Sequence, residues 1–571
     1  MKKCNEGHAL CSRPINSRLP TRVIDVGQAE NSDIVYLKET RDSDRDPYMS
    51  LSHCWGKELI ITTTTNTLQD RKVGIRISEL PKTFRDAVRI TRGLGVRYLW
   101  IDSLCIIQDD KNDWEIESAK MADVYMCSQL NLAATHSSNG EGGCFAERWS
   151  LDTLNQVELS VGEEVVIEPE DTEEGNYKIF VRHALHVAHD HFTRTMDYAH
   201  TIEHASPLLS RGWVFQERLL SSRTLHFHAE ELIWECASGI SCECSRLEDY
   251  QWGGPDGFLQ ERQADQLKML YTSISASTVT ESQILDSWLE LITEYCKLKL
   301  TKQMDRLPAI SGLASRVARR LPGVYLAGLW SQDLPRALCW SKGYQSKHAS
   351  FRGPHTNVPS WSWASVLNHS EDMSNINYDL VGVSGFVADP RCQIQGYHCP
   401  QNPTNPFGIG GDVWLKIQGP LVQATVLIIE SAMDSAVTDW ALQQNLSQYV
   451  RDTVIQNIIE FDQESVSFSG DCCDTEGRVT DINHGESVYC LLIGGFKHSR
   501  EDLLSKWPHH HPSLVEKLLT KDPSRQIIAG AYSLVLVKVD ERSTYRRAGL
   551  LVHRGGSGWW EGAEIRDIVL V

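Results

Sequence analysis

The chain has 571 residues, of which 41% are hydrophobic, 8% aromatic and 23% charged. Those proportions belong to an ordinary globular protein and exclude disorder, collagen and coiled coil. Lysine and arginine number 56 against 75 aspartates and glutamates, a formal net charge of −19. That balance repels phosphate backbones and anionic lipid, so neither nucleic acid nor a membrane is an expected partner. At this length at least two domains are expected. Several of the 16 cysteines, among them Cys54, Cys105, Cys339 and Cys490, sit inside apolar runs, where a reduced thiol acts as a small hydrophobe. No apolar stretch follows Lys2-Lys3, and no segment approaches the ~18 apolar residues of a membrane span. A cytoplasmic protein is expected.

Residues 1–45 are polar and read as an N-terminal extension. The alternating segment Tyr48 to His53 predicts a strand ending at Cys54-Trp55-Gly56. Phe84, Ala87, Val88, Thr91 and Leu94 then recur at helical spacing, with Thr83 and Asp86 placed as a capping box and Gly95 as a stop. Arg97 to Asp102 reads as a strand covered on both faces. A second helix is signalled by Asn112 and Glu115, with Trp114, Met121 and Tyr125 on one face, and the run Leu130 to Ala134 follows. Strand–helix–strand–helix–strand with short connections predicts a parallel sheet flanked by helices. Residues 139–205 read as an inserted loop region within a domain of residues 46–250, after which Thr224–His228 and Leu232–Glu235 are strand-like. A helical segment at 251–322 and a β-rich C-terminal domain at 323–571 complete the organisation.

In an open parallel sheet, ligands collect outside the carboxyl ends of the strands. The first predicted strand delivers Ser52, His53, Cys54 and Trp55 there, and the second delivers Asp102, Ser103 and Cys105, with Gln108 and Asp109 close behind. A Cys–His–Asp set is one recipe for an activated nucleophile; buried core thiols with a hydrogen-bonded His53 and a packed Trp55 are the structural alternative. Glu117 lies at the border of its helix's apolar face, where partial desolvation would raise its pKa and suit it to acid–base work, the alternative being a border ion pair. Glu217, in Trp213-Val214-Phe215-Gln216-Glu217-Arg218, poses the same choice, with Arg218 or Arg223 as its structural partner. Cys4, His8 and Cys11, and Cys236, Cys242 and Cys244, are metal-ligand residue types, but neither group has the paired two-residue spacing of a strong zinc site, so no metal is expected. No phosphate-binding glycine loop is present.

Tyr48 to Gly56, Thr83 to Ala87 and Tyr98 to Asp109 together resemble the signature blocks of the fungal heterokaryon incompatibility (HET) domain. Met121 to Ala134, Arg211-Gly212-Trp213 with Gln216-Glu217-Arg218, and the later stretches Arg306–Gly312, Tyr325–Trp330 and Pro359–Ser365 resemble full-length members. The resemblance implies an intracellular protein with a TIR- or flavodoxin-like N-terminal domain, acting in self/non-self recognition and programmed cell death. Because many TIR domains hydrolyse NAD with a glutamate, it makes NAD a candidate substrate and Glu117 the first candidate catalytic residue. Its implied partners are another incompatibility protein or a second copy of the chain. The sequence carries no nucleotide-binding oligomerisation module, ankyrin array or WD repeats. That leaves open a second class: an enzyme transforming a small organic molecule in secondary metabolism, with His53, Cys54, Asp102 and Cys105 as its chemistry and Trp55, Trp213, Ser103 and Gln216 among its ligand-binding residues.

Overall fold

The structure, a computed structural model, describes residues 1–8, 11, 17–27, 32–57, 60–146, 165–167, 179–181, 206–245, 247, 267–274, 278–342, 350–352, 357–368, 376–378, 385–403, 405–432, 453–461, 464–473, 479–499, 527–553 and 558–571. Contacts divide the chain into two units, Met1–Ser273 and Ile274–Val571. That division falls inside the expected helical segment 251–322.

The first unit contains strands β1 (Arg22–Asp25), β2 (Ile34–Glu39), β3 (Tyr48–Ser52), β4 (Ile75–Arg76), β5 (Tyr98–Trp100), β6 (Leu130–Ala133), β7 (Val165–Ile167), β8 (Ile179–Val181), β9 (Arg223–Phe227), β10 (Leu232–Cys236) and β11 (Gly239–Cys242). Its helices are α1 (Lys2–Gly7), α2 (Leu68–Val73), α3 (Lys82–Gly93), α4 (Asp102–Cys105), α5 (Lys111–Cys127), α6 (Gly212–Leu220) and α7 (Leu267–Ser273). Nine strands form one sheet in the order β11-β10-β9-β6-β3-β5-β1-β2-β4, and β7 pairs with β8 separately. The centre is parallel: β3 pairs with β5 and with β6, and β6 with β9. The flanks are antiparallel, which makes the sheet mixed where an all-parallel one was expected. All residues of β3 and β6 are buried, as strands covered on both faces must be. Residues 1–45 do not stand apart as an extension, because β1 and β2 continue this sheet next to β5.

Helix α3 buries Thr83, Phe84, Ala87, Val88 and Thr91, the stripe predicted from spacing. Its capping box is not formed: Pro81 is the N-cap, Thr83 Oγ1 accepts from the Gly143 N–H at 3.0 Å, and Asp86 accepts from the Cys144 N–H at 2.9 Å. These side chains hold the loop after β6 instead of their own helix end. Gly95 has φ +72°, the left-handed conformation a helix stop requires. Helix α5 is capped by Asp110, which accepts from the N–H groups of Asn112 and Asp113; Met121 and Tyr125 are buried on its inner face. Most of the expected 139–205 insertion, and His509-His510-His511, lie outside the described residues.

The second unit begins with helices Glu281–Tyr295 and Pro308–Val317 and is otherwise β-rich. Strands Trp414–Ala432, Thr453–Phe461, Glu464–Gly470, Thr544–His553, Ile527–Lys538 and Ser487–Ser499 pair in that ring order. The ring closes where Leu421–Thr425 pairs with Ser487–Leu491, and Val422, Val426, Val488, Cys490, Val535, Leu551 and Trp560 form a buried apolar cluster on these strands and the adjoining turn. Beside it, Arg547 and Asp471 are both fully buried and joined at 3.1 Å, with Arg352 donating to Asp471 at 2.7 Å. The Arg547 guanidinium lies 3.4 Å over the Trp340 ring and donates to the carbonyl of Leu338 at 2.6 Å. Removing one member of such a pair strands a buried charge. Asp471→Asn is therefore expected to lower the unfolding free energy by about 3–5 kcal/mol, read by denaturant unfolding; an unchanged midpoint would show that the pair does not hold this unit.

Candidate functional site

Strands β3, β5, β6 and β9 all end on the same edge of the sheet, and the residues following them converge there. The last side chain of β3, Ser52, is buried and donates to Glu217 Oε2 at 2.5 Å, with Glu217 brought in by α6. Asn131 of β6 links Ser52 and Ser50: its amide donates to Ser52 Oγ at 3.0 Å, and its carbonyl oxygen accepts from Ser50 Oγ at 3.1 Å. Tyr125 of α5 donates to the carbonyl of Leu51 at 3.3 Å, and its hydroxyl lies near enough to Glu217 to act on the carboxyl's pKa. Burial is the largest influence on Glu217 and pushes its carboxyl from the ordinary carboxylate range up to about 7; the negative charge of Asp102 adds to this, while the Ser52 and Tyr125 hydroxyls and Arg211 oppose it. The expected pairing with Arg218 or Arg223 does not occur. Arg218 is clamped on Glu235 of β10 at 2.7–3.0 Å, and Arg223 reaches toward α1.

His53 and Asp102 meet at this edge less closely than a catalytic relay requires. His53 Nε2 lies 3.7 Å from Asp102 Oδ1 and makes no hydrogen bond, so the expected satisfied histidine is not observed. Burial lowers the imidazole to about 4, partly offset by Asp102, and keeps it neutral. Asp102 accepts from Trp55 Nε1 at 3.0 Å and from the Ser103 N–H at 2.6 Å. It is the more open member, its side chain 23% exposed. Ser103 Oγ is buried with no hydrogen-bond partner. Arg211, just before α6, donates to the carbonyl of His53 and to the Cys54 thiol.

Neither thiol is set up as a nucleophile. Cys54 is buried against Ala133, Leu208 and Val214, and burial raises its pKa; burial pushes Cys105 up to about 12. Glu117 takes its structural alternative. It accepts from Thr21 Oγ1 and from Lys120 Nζ, both at 2.9 Å, and the lysine also donates to Thr21. Gln108 donates to the carbonyls of Asp102 and Ile106 at 3.1 Å, and Asp109 accepts from the Thr65 backbone and hydroxyl, so both fasten loops. Trp213 packs edge-on to Trp114 at 6.5 Å, and Gln216 is buried within α6. Candidate reasoning passed over Arg211, Tyr125 and Asn131. The legible signal was Asn131, an amide interrupting the apolar run of a doubly covered strand.

Residues 48–217 match the family model described as heterokaryon incompatibility protein (HET). No curated protein and no solved structure matches the chain. The matched segment opens on the first residue of β3 and ends on Glu217, so the two residues of the Ser52–Glu217 contact fall within it.

The pKa of Glu217 has a consequence for stability. A carboxyl raised in the folded state contributes stability that is fully present below its unfolded pKa and is lost as pH rises through about 7. Glu217→Gln removes that loss, so the variant should gain stability over the wild type above pH 7, on the order of 3 kcal/mol, and show little gain at pH 4. Thermal unfolding across pH tests this; a variant destabilised equally at every pH would contradict it. His53 should stay neutral at pH 5.5, read from its imidazole nitrogen shifts, whereas an exposed histidine is charged there.

Proposed function

We propose that this chain acts in incompatibility-type self/non-self recognition as a cell-death effector, and that Glu217 supplies its chemistry by cleaving the nicotinamide–ribose bond of NAD. The match of residues 48–217 to the heterokaryon incompatibility model supports the first part. The observation supporting the second is the Glu217 carboxyl, held among hydroxyls at the strand ends with its pKa near neutrality. In the reaction the glycosidic bond breaks with its electron pair passing to the nicotinamide ring nitrogen. The carboxylate stabilises the positive charge that develops on the ribose, water adds to the anomeric carbon, and its proton leaves to the carboxylate and then to solvent. Glu217 is a better candidate than Glu117, whose carboxylate is already committed to Lys120 and Thr21.

A second reading rests on a different observation. The unpartnered His53 Nε2 and Ser103 Oγ, beside the partly open Asp102, are polar atoms that a small polar molecule would satisfy. Under it the chain transforms such a molecule in secondary metabolism, with His53 and Asp102 as its acid–base groups.

The test is nicotinamide release from NAD by the full chain. The account expects turnover that rises with pH through about 7, falls by about 10²–10⁴-fold in Glu217→Gln, and changes little in Glu117→Gln, together with toxicity on overexpression. Turnover that survives in Glu217→Gln and vanishes in Glu117→Gln would reverse the assignment. No turnover and no toxicity would favour the small-molecule enzyme.

A further inference from the structure

Away from the strand-end residues, the first unit gathers four donors from two distant parts of the chain. Cys4 lies in α1 and His8 caps its end, and the His8 N–H donates to the Cys4 carbonyl at 3.1 Å, which sets the two one turn apart. The Cys11 N–H donates to the His8 carbonyl at 3.0 Å, which holds Cys11 beside His8. The fourth, Cys236, is the last residue of β10. One ligand atom from each of Cys4, His8, Cys11 and Cys236 lies within 4.8 Å of every other. His8 Nδ1 is 3.4 Å from Cys236 Sγ, across a sequence separation of 228. All three cysteines are at least 95% buried.

We infer that Cys4, His8, Cys11 and Cys236 form a tetrahedral zinc site that pins the N-terminal segment to β10. Zinc bonds of about 2.3 Å to sulfur and 2.0–2.1 Å to nitrogen separate tetrahedral donors by about 3.5–3.8 Å, and the observed cluster contracts to that spacing with small side-chain rotations. Three thiolates and one imidazole are a soft, nitrogen–sulfur donor set that selects zinc over magnesium or calcium. A disulfide would use two of these groups and leave a third thiol and the imidazole unexplained.

The surroundings fit the charge. Zinc with three thiolates carries one net negative charge, and Arg223, directly opposite Cys236 in the β9–β10 register, supplies the compensating positive one. Its Nε donates to Cys4 Sγ at 3.4 Å, and its other nitrogens donate to the Asn5 side chain and the carbonyls of Cys11 and Gln129. Such donors to the ligand sulfurs orient a metal site and tune it. Ser238 Oγ lies 3.9 Å from Cys11 Sγ and adds a second polar neighbour. All four positions are filled by protein, so the site is structural and leaves no position for substrate. Its binding energy is then folding energy for the first unit.

The experiment measures metal content of the full chain purified without chelator, by elemental mass spectrometry, together with the electronic spectrum after cobalt replacement. The expected result is one zinc per chain held by these residues. That zinc is lost in Cys11→Ser and in Cys236→Ser and kept in Cys127→Ser, and cobalt gives the intense visible bands and thiolate charge transfer of a tetrahedral sulfur-rich site. Chelation should lower the melting temperature of the wild type and not of Cys236→Ser. The cobalt spectrum is read on the wild type, so it decides the matter even where a variant fails to fold. A metal-free wild type with no tetrahedral cobalt spectrum, a disulfide among these cysteines in peptide mapping, or full zinc content in both serine variants would overturn the inference.

Discussion

A carboxyl group taken out of water must find a cation, find hydroxyl donors, or keep its proton, and the first unit is arranged around the last two of these at Glu217. The parallel strands end there, and their terminal polar groups close on it: Ser52 donates to it directly, Tyr125 reaches it from α5, and Asn131 holds Ser52 in place. Arg211, whose positive charge acts on it, donates its own hydrogen bonds to His53 and Cys54. The edge therefore keeps a carboxyl whose proton is lost near neutral pH, beside a histidine that burial holds uncharged.

Other buried carboxylates of the chain show how differently the same side chain is treated when its work is structural. Glu235 is met by Arg218, Lys268 and His226 and is held well below the ordinary range, against the cost of burial, by the charges of Arg218 and Lys268 and by the His226 hydrogen bond. Asp471 receives Arg547 and Arg352, and Glu117 receives Lys120. Each of these is neutralised in place, which fixes geometry and removes reactivity. Divergent environments for like groups are how one fold separates structural from chemical carboxylates.

The strand-helix alternation of residues 48–134 was legible because each element carries its own periodicity, and the parallel centre followed from the short connections. The antiparallel flanks were not, since β1 and β2 are short, and nothing in a polar segment announces that it will pair with β5. Thr83 and Asp86 have the spacing of a capping box, yet their side chains are claimed by Gly143 and Cys144, a tertiary demand that local pattern cannot contain. The strand-end residues were found because topology alone places them. The partner of Glu217 was missed because Arg218, its neighbour in sequence, points across to β10, as successive residues on a helix do. Cys4, His8 and Cys11 lacked a fourth donor until folding supplied one from β10.

The most direct test of this account is the ionisation of Glu217 itself, followed by carboxyl infrared difference spectroscopy across pH and assigned by the band missing in Glu217→Gln. The account predicts a protonated carboxyl band that persists below neutrality and titrates near pH 7. A Glu217 carboxyl already ionised at pH 5, in the ordinary carboxylate range, would contradict it.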